Sequence, residues 1–122
     1  MKYTIGYKRS LQLENNKNQR LFGMLGFAMR AGKLTIGTEL ICKQLPRRDI
    51  RLVLISGSAS DGTKKKLVHK CEFYKIPAIE VDIDTECLGR ILGKSYTPAA
   101  VGVCDEGFAR EIKKATVSEQ TL

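Results

Sequence analysis

Residues 51–56, Arg-Leu-Val-Leu-Ile-Ser, place four apolar side chains in succession between polar ends. A strand that is apolar on both faces must be covered on both, so this segment requires a sheet with a layer above it and another below. Three further short runs have the same β-prone character: "KLTI" at 33–36, "PAIEV" at 77–81 and "AAVGVC" at 99–104. Between them the apolar spacing changes to a helical period. Leu21, Met24, Leu25 and Ala28 recur on one face, with Asn16 or Asn18 available as a cap and Gly32 as a stop. Gly23 and Gly26 lower the propensity of this first helix, which is expected where another element approaches closely. Thr38 is a candidate cap for a helix through Ile41 and Leu45, ended by Pro46. Ser60 or Asp61 caps the next, with Lys64, Leu67, Cys71 and Tyr74 in register and Lys65, Lys66 and Lys70 toward water. "DTECLGRIL" stops at Gly93, and "EGFAREIKK" starts from a cap at Asp105. Strands alternating with helices predict an α/β fold, a small mixed or parallel sheet layered between helices.

At 122 residues the chain holds one core rather than two. Residues 1–16 read as a flexible N-terminal extension, 17–114 as the domain and 115–122 as a frayed tail. No run approaches the roughly 18–20 apolar residues of a membrane span, and the N-terminus lacks a signal-peptide core, so a cytoplasmic location is expected. Cys42, Cys71, Cys87 and Cys104 form no CxxC pair and have only His69 as an imidazole neighbour in composition, which argues buried free thiols and no metal site.

The net charge of +8 is unevenly distributed. Residues 1–51 hold eleven Lys or Arg against three acids, while residues 52–122 hold ten of each sign. Such an excess favours a polyanionic partner, RNA or DNA. Catalytic readings fail on content. His69 lies in a lysine-rich helix, Asp84 and Asp105 serve as caps, and no nucleophile, base and orienter assemble. "GKLTIG" is not a dinucleotide fingerprint, and "SGSASDGTKKK" lacks P-loop spacing, so neither an enzyme nor a cofactor is expected.

The candidate binding residues sit where the chain turns. The loops 32–39, 57–62 and 94–99 are expected to converge at one rim of the sheet, where open α/β folds take their ligands. Gly32 and Lys33 open one such segment, and Gly37, Thr38 and Glu39 begin the helix after it. Glu39 can accept from an exposed base amino group, or can simply favour the first turn of a helix. Ser58, Ser60 and Lys64 either face a phosphate or form an ordinary cap with a solvated lysine face.

Three blocks in order, "LFGMLGFAMRAGKLTIGTELICKQL", "RLVLISGSASDGTKKKLVHKCEFYKIPAIEV" and "LGRILGKSYTPAAVGVCDEGFA", resemble the L7Ae/L30e/S12e ribosomal-protein superfamily, closest to a small bacterial RNA-binding branch of it. The resemblance covers about residues 18–112. It implies a three-layer αβα sandwich with a four-stranded mixed sheet, L30e-like, and non-enzymatic binding of structured RNA, either kink-turn-like or ribosomal. It also implies ribosome association, and the protein is expected to be a monomer. Superfamily relatives also act as adaptors, so a protein-interaction or ribonucleoprotein assembly role stands as the alternative. The superfamily's contact block is a glycine, a polar pair that is often Asn-Glu, and then a basic residue. Gly37 matches the glycine, Thr38 follows, Glu39 and Leu40 stand at the pair, and Lys43 matches the basic residue. Leu40 departs from the pattern, because leucine cannot accept from a guanine. A second superfamily contact matches residues 95–99, giving Tyr96, Thr97 and Pro98. The Tyr96 ring either stacks on an extruded base or folds over Leu92. The loop "SASDG" matches a third face of the site, with Ser58 and Ser60.

Overall fold

The computed structural model describes residues 19–47 and 49–120. Helix α1 covers 19–30, followed by β1 (Leu34–Ile36), α2 (Thr38–Gln44) with a 3-10 turn at Leu45–Arg47, and β2 (Leu52–Ser56). Then come α3 (Asp61–Tyr74), β3 (Ala78–Val81), α4 (Thr85–Ile91), β4 (Ala100–Val103) and α5 (Glu106–Gln120). The strands form one sheet in the order β1-β4-β2-β3. β4 runs antiparallel to both of its neighbours, and β2 and β3 run parallel, joined through α3. The sheet is therefore mixed.

Alternation along the central strands builds the two cores. Leu52, Leu54, Val101 and Val103 belong to one side, covered by Leu21 and Leu25 of α1, Leu88 of α4, Leu92 just beyond it and Ile112 of α5. Val53, Ile55 and Ala100 belong to the other, against Ile41 and Leu45 at α2 and Leu67 and Cys71 of α3. β2 is buried along its whole length, as its apolar run requires.

Several local expectations hold in detail. Ser60 accepts from the Thr63 amide, Asp84 from the Cys87 amide and Asp105 from the Phe108 amide. Gly32 and Gly93 adopt left-handed φ of 70° and 68° and close α1 and α4 with the paired backbone bonds of a Schellman ending.

Others are corrected. Thr38 does not cap α2: it is the first helical residue, and the cap position belongs to Gly37, which has no side chain to bond the first amides. α5 continues past Lys114 to Gln120, and Ala115 and Thr116 are buried just beyond the charged pair that suggests an end. Among the thiols only Cys71 is buried, and Cys42, Cys87 and Cys104 are half-buried, although all four are free. Burial, assisted by Cys42, pushes the Cys71 thiol up to about 11, so it is protonated and unreactive at neutral pH. The expected N-terminal extension and the Asn16 or Asn18 cap lie outside the described residues.

Nothing approaches Gly23, and only the Arg30 side chain comes near Gly26, so the expectation of close packing on α1 fails. Glycine at position 23 only weakens the helix. Gly23→Ala is expected to stabilise the protein by about 0.5–1 kcal/mol, read as a higher midpoint in urea denaturation; an unchanged midpoint would mean that α1 contributes little to the cooperative fold.

Candidate nucleic-acid interface

Strand register shows which loops meet. Ile36 pairs with Val101, Ala100 with Ile55, and Ser56 with Val81, so the ends of β1, β2 and β3 and the start of β4 lie along one rim. Backbone bonds join them. The Gly37 amide donates to the Ala100 carbonyl (3.0 Å), the Ser56 amide to Ala99 (2.8 Å), and the Gly57 amide to Val81 (2.8 Å). The buried Ser56 hydroxyl donates to the Ile83 carbonyl at 2.7 Å, fixing the rim from beneath.

Gly37 holds φ 102° and ψ 147°, and an added β-carbon would find nothing within 4 Å. Its backbone therefore borders open space in a conformation that suits glycine. Thr38 is half-buried, and Glu39 and Leu40 are exposed, Leu40 by 50%. Lys43 follows one turn later on the same side of α2 as Glu39. Beside this corner runs the segment 93–99. Its Tyr96 is 53% exposed, which leaves about half of the residue's surface open to a ligand. Thr97 is exposed as well.

Pro98 behaves differently: it is buried, and its Cδ lies 3.3 Å from where a β-carbon on Gly89 would stand. It is a seat for the loop rather than a contact surface.

The third face of the expected site is occupied by structural duties. The Ser58 hydroxyl accepts from the Thr85 amide at 3.0 Å, holding the start of α4. Ser60 donates to the Thr63 hydroxyl and caps α3. Lys64 pairs with Glu80 at 3.2 Å. Next to them Gly57, Ser58, Glu80, Asp82 and Asp84 border a cavity of about 440 Å3, whose carboxylates repel phosphate. The two edges of the rim thus differ: an open, partly apolar corner at β1 and β4, and an acidic recess at β3.

Gly32 and Lys33 are not at this rim. They precede β1, beside the end of β4, where the Cys104 amide donates to the Lys33 carbonyl. The three residues of β1 separate Lys33 from Gly37, four steps of extended chain or about 13 Å. Both glycines flank the same four-residue run in the sequence, which does not reveal that they stand at opposite ends of a strand. Gly89 has no place in the sequence reading, and Leu40 enters it only as a departure from the contact pattern. Leu40 adds exposed apolar surface to the corner, and Gly89 gives the loop room; a glycine inside "CLGRI" was the available signal for the latter. Among the described residues no three His, Cys, Asp or Glu are grouped to hold a metal, and no helix is long and apolar enough to cross a membrane.

Comparison with known proteins gives the family and supports the fold. The Ribosomal protein L7Ae/L30e/S12e/Gadd45 family matches residues 19–113. The RNA-binding protein YlxQ of Bacillus subtilis is 38% identical over 91 residues, covering 75% of this chain and 89% of its own. The RNA-binding protein YlxQ of Enterococcus faecium is 33% identical over 103 residues, covering 84% and 96%. A solved structure from Bacillus halodurans, of a protein with unknown function, superposes with a TM-score of 0.76 at 36% identity, covering 80% of this chain and 97% of its own.

Proposed function

The chain belongs to the ribosomal protein L7Ae/L30e/S12e/Gadd45 family, and from that premise we propose that it is a non-enzymatic protein that grips a kink-turn-like bend in structured RNA, such as ribosomal RNA, at the Gly37 corner. RNA binding is the function named for both YlxQ relatives. The observation that carries the finer reading is the convergence of Gly37, Glu39, Leu40 and the Tyr96–Thr97 segment on one rim, with open space over Gly37.

Each group has a separate task. The Gly37 backbone allows close approach, and the amides at the start of α2 have no side-chain cap to occupy them. Lys43 offers its charge to a phosphate. Glu39 accepts from a base edge, while Leu40 and the Tyr96 ring offer apolar surface to unstacked bases. The acidic recess at β3 keeps the RNA backbone to the β1 side, which sets the direction of approach. Lys33 is too far along the strand to share in this grip.

The test is a salt series of binding to a kink-turn duplex and to the same helix with its G·A pairs replaced by Watson–Crick pairs. Selective binding is expected, with Glu39→Gln altering base preference more than the salt slope. Equal and weak binding to both RNAs would overturn the kink-turn reading and return the search to other RNA folds or protein partners.

A further inference from the structure

The opposite rim of the sheet carries a feature that the fold itself does not call for. α3 ends at Lys75, which takes left-handed φ of 60° while its amide bonds Glu72 and the Ile76 amide bonds Cys71. Glycine fills the equivalent position at the ends of α1 and α4. A lysine here bears strain that a glycine would not, and such strain is retained where a side chain has a task.

Lys75 lines a cavity of about 550 Å3 with Leu45, Arg51, Phe73, Tyr74 and Ile76. No acid lines it, and neither Arg51 nor Lys75 has an ion-pair partner among the described residues. Phe73 is 78% exposed and stands edge-on to Tyr74, with ring centroids 4.9 Å apart. Lys66, His69 and Lys70 precede Phe73 by seven, four and three residues, all exposed, so they share its stripe of α3. Glu72 is about 100° round the helix from Phe73.

A basic track leading to an exposed aromatic face fits a single-stranded nucleic acid, whose phosphates meet cations while a base stacks on the ring. A peptide anchor would instead need a pocket that closes round it, and Phe73 presents an open face. We infer that this rim is a second RNA surface, where an unpaired strand stacks a base on Phe73 and Arg51 and Lys75 hold its phosphates. The inference rests on the reading of the chain as an RNA binder, and it extends that reading to a protein that holds two segments of RNA at once. The five residues of β2 set the two rims about 17 Å apart, so the surfaces do not overlap.

The test uses the full chain and fluorescence anisotropy with two labelled probes, a ten-nucleotide oligo(U) RNA and the kink-turn duplex. Phe73→Ala should weaken oligo(U) binding about 5- to 100-fold and leave duplex binding within about twofold. Lys75→Gly should raise Tm by about 2–4 °C yet weaken oligo(U) binding and flatten its salt slope by about 0.7. That opposition is what a purely structural lysine would not produce. Oligo(U) affinity that is undetectable in the wild type, or unchanged in both variants, overturns the inference. So does an acidic, tryptophan-bearing peptide that binds through Phe73 while oligo(U) does not, since the face would then dock protein. Failure of duplex selectivity bears on the first site alone.

Discussion

Gly37→Val is expected to lower Tm by about 4–12 °C and to weaken kink-turn binding by on the order of 30-fold or more. Two separate effects combine. At φ 102° a β-branched side chain is strained whatever space surrounds it, which costs about 1–3 kcal/mol. The space itself is open to solvent, so no clash inside the protein adds to that figure. In the proposed grip it is the RNA that would meet the new methyl groups, because the bound strand is placed closest to the chain at this glycine. Gly32→Val separates the two effects. Gly32 also has positive φ and open surroundings, but it lies at the far end of β1. It should lose comparable stability and keep its affinity for the kink-turn duplex, measured at a temperature where all three proteins are folded. If Gly37→Val binds as tightly as the wild type, the proposed corner is not the site.

The strands and three of the caps were legible because each is decided locally or by a strong pattern, whereas the expected Thr38 cap fell one residue inside its helix. A run of four apolar residues needs cover on both faces whatever its neighbours do, and Ser60, Asp84 and Asp105 cap the helices that follow them through bonds spanning three residues. Strand order was not legible in the same way. The antiparallel placement of β4 between β1 and β2 depends on pairings across about 45 to 70 positions; element alternation left a mixed or a parallel sheet open, and only the resemblance chose the mixed one. The site was half legible for the same reason. Gly37, Glu39 and Tyr96 could be nominated from residue type and resemblance, but which end of a strand faces which loop is a matter of topology. Lys33 was therefore grouped with Gly37 although strand direction puts it at the other rim. Ser58, Ser60 and Lys64 illustrate a further limit. Their types suit phosphate, yet their partners Thr85, Thr63 and Glu80 are contributed by the fold. Pro98 has a contact-loop address and a core environment.

Helix glycines make the same point with opposite signs, and Gly89→Ala is the sharper case. Within α4 the change improves intrinsic propensity by up to about 1 kcal/mol, as it does for Gly23 in α1. At Gly89, however, a β-carbon would lie 2.6 Å from the Tyr96 carbonyl oxygen and 3.3 Å from Pro98 Cδ. The first neighbour is backbone, so the loop has to move as a unit. A 2.6 Å approach to backbone puts the overpacking cost in the upper part of the usual range of about 1–3 kcal/mol, so it exceeds the propensity gain and a net loss of about 1–2 kcal/mol is expected in urea denaturation. Displacing the loop also carries Tyr96 and Thr97 away from the Gly37 corner, so kink-turn affinity should fall together with stability. Tyr96→Ala dissociates the two consequences. About half of its surface is in solvent, so stability should change by less than about 1 kcal/mol while affinity still drops. A Gly89→Ala protein as stable as the wild type would show that the loop does not rest on α4, and its unchanged RNA affinity would remove the 95–98 segment from the interface.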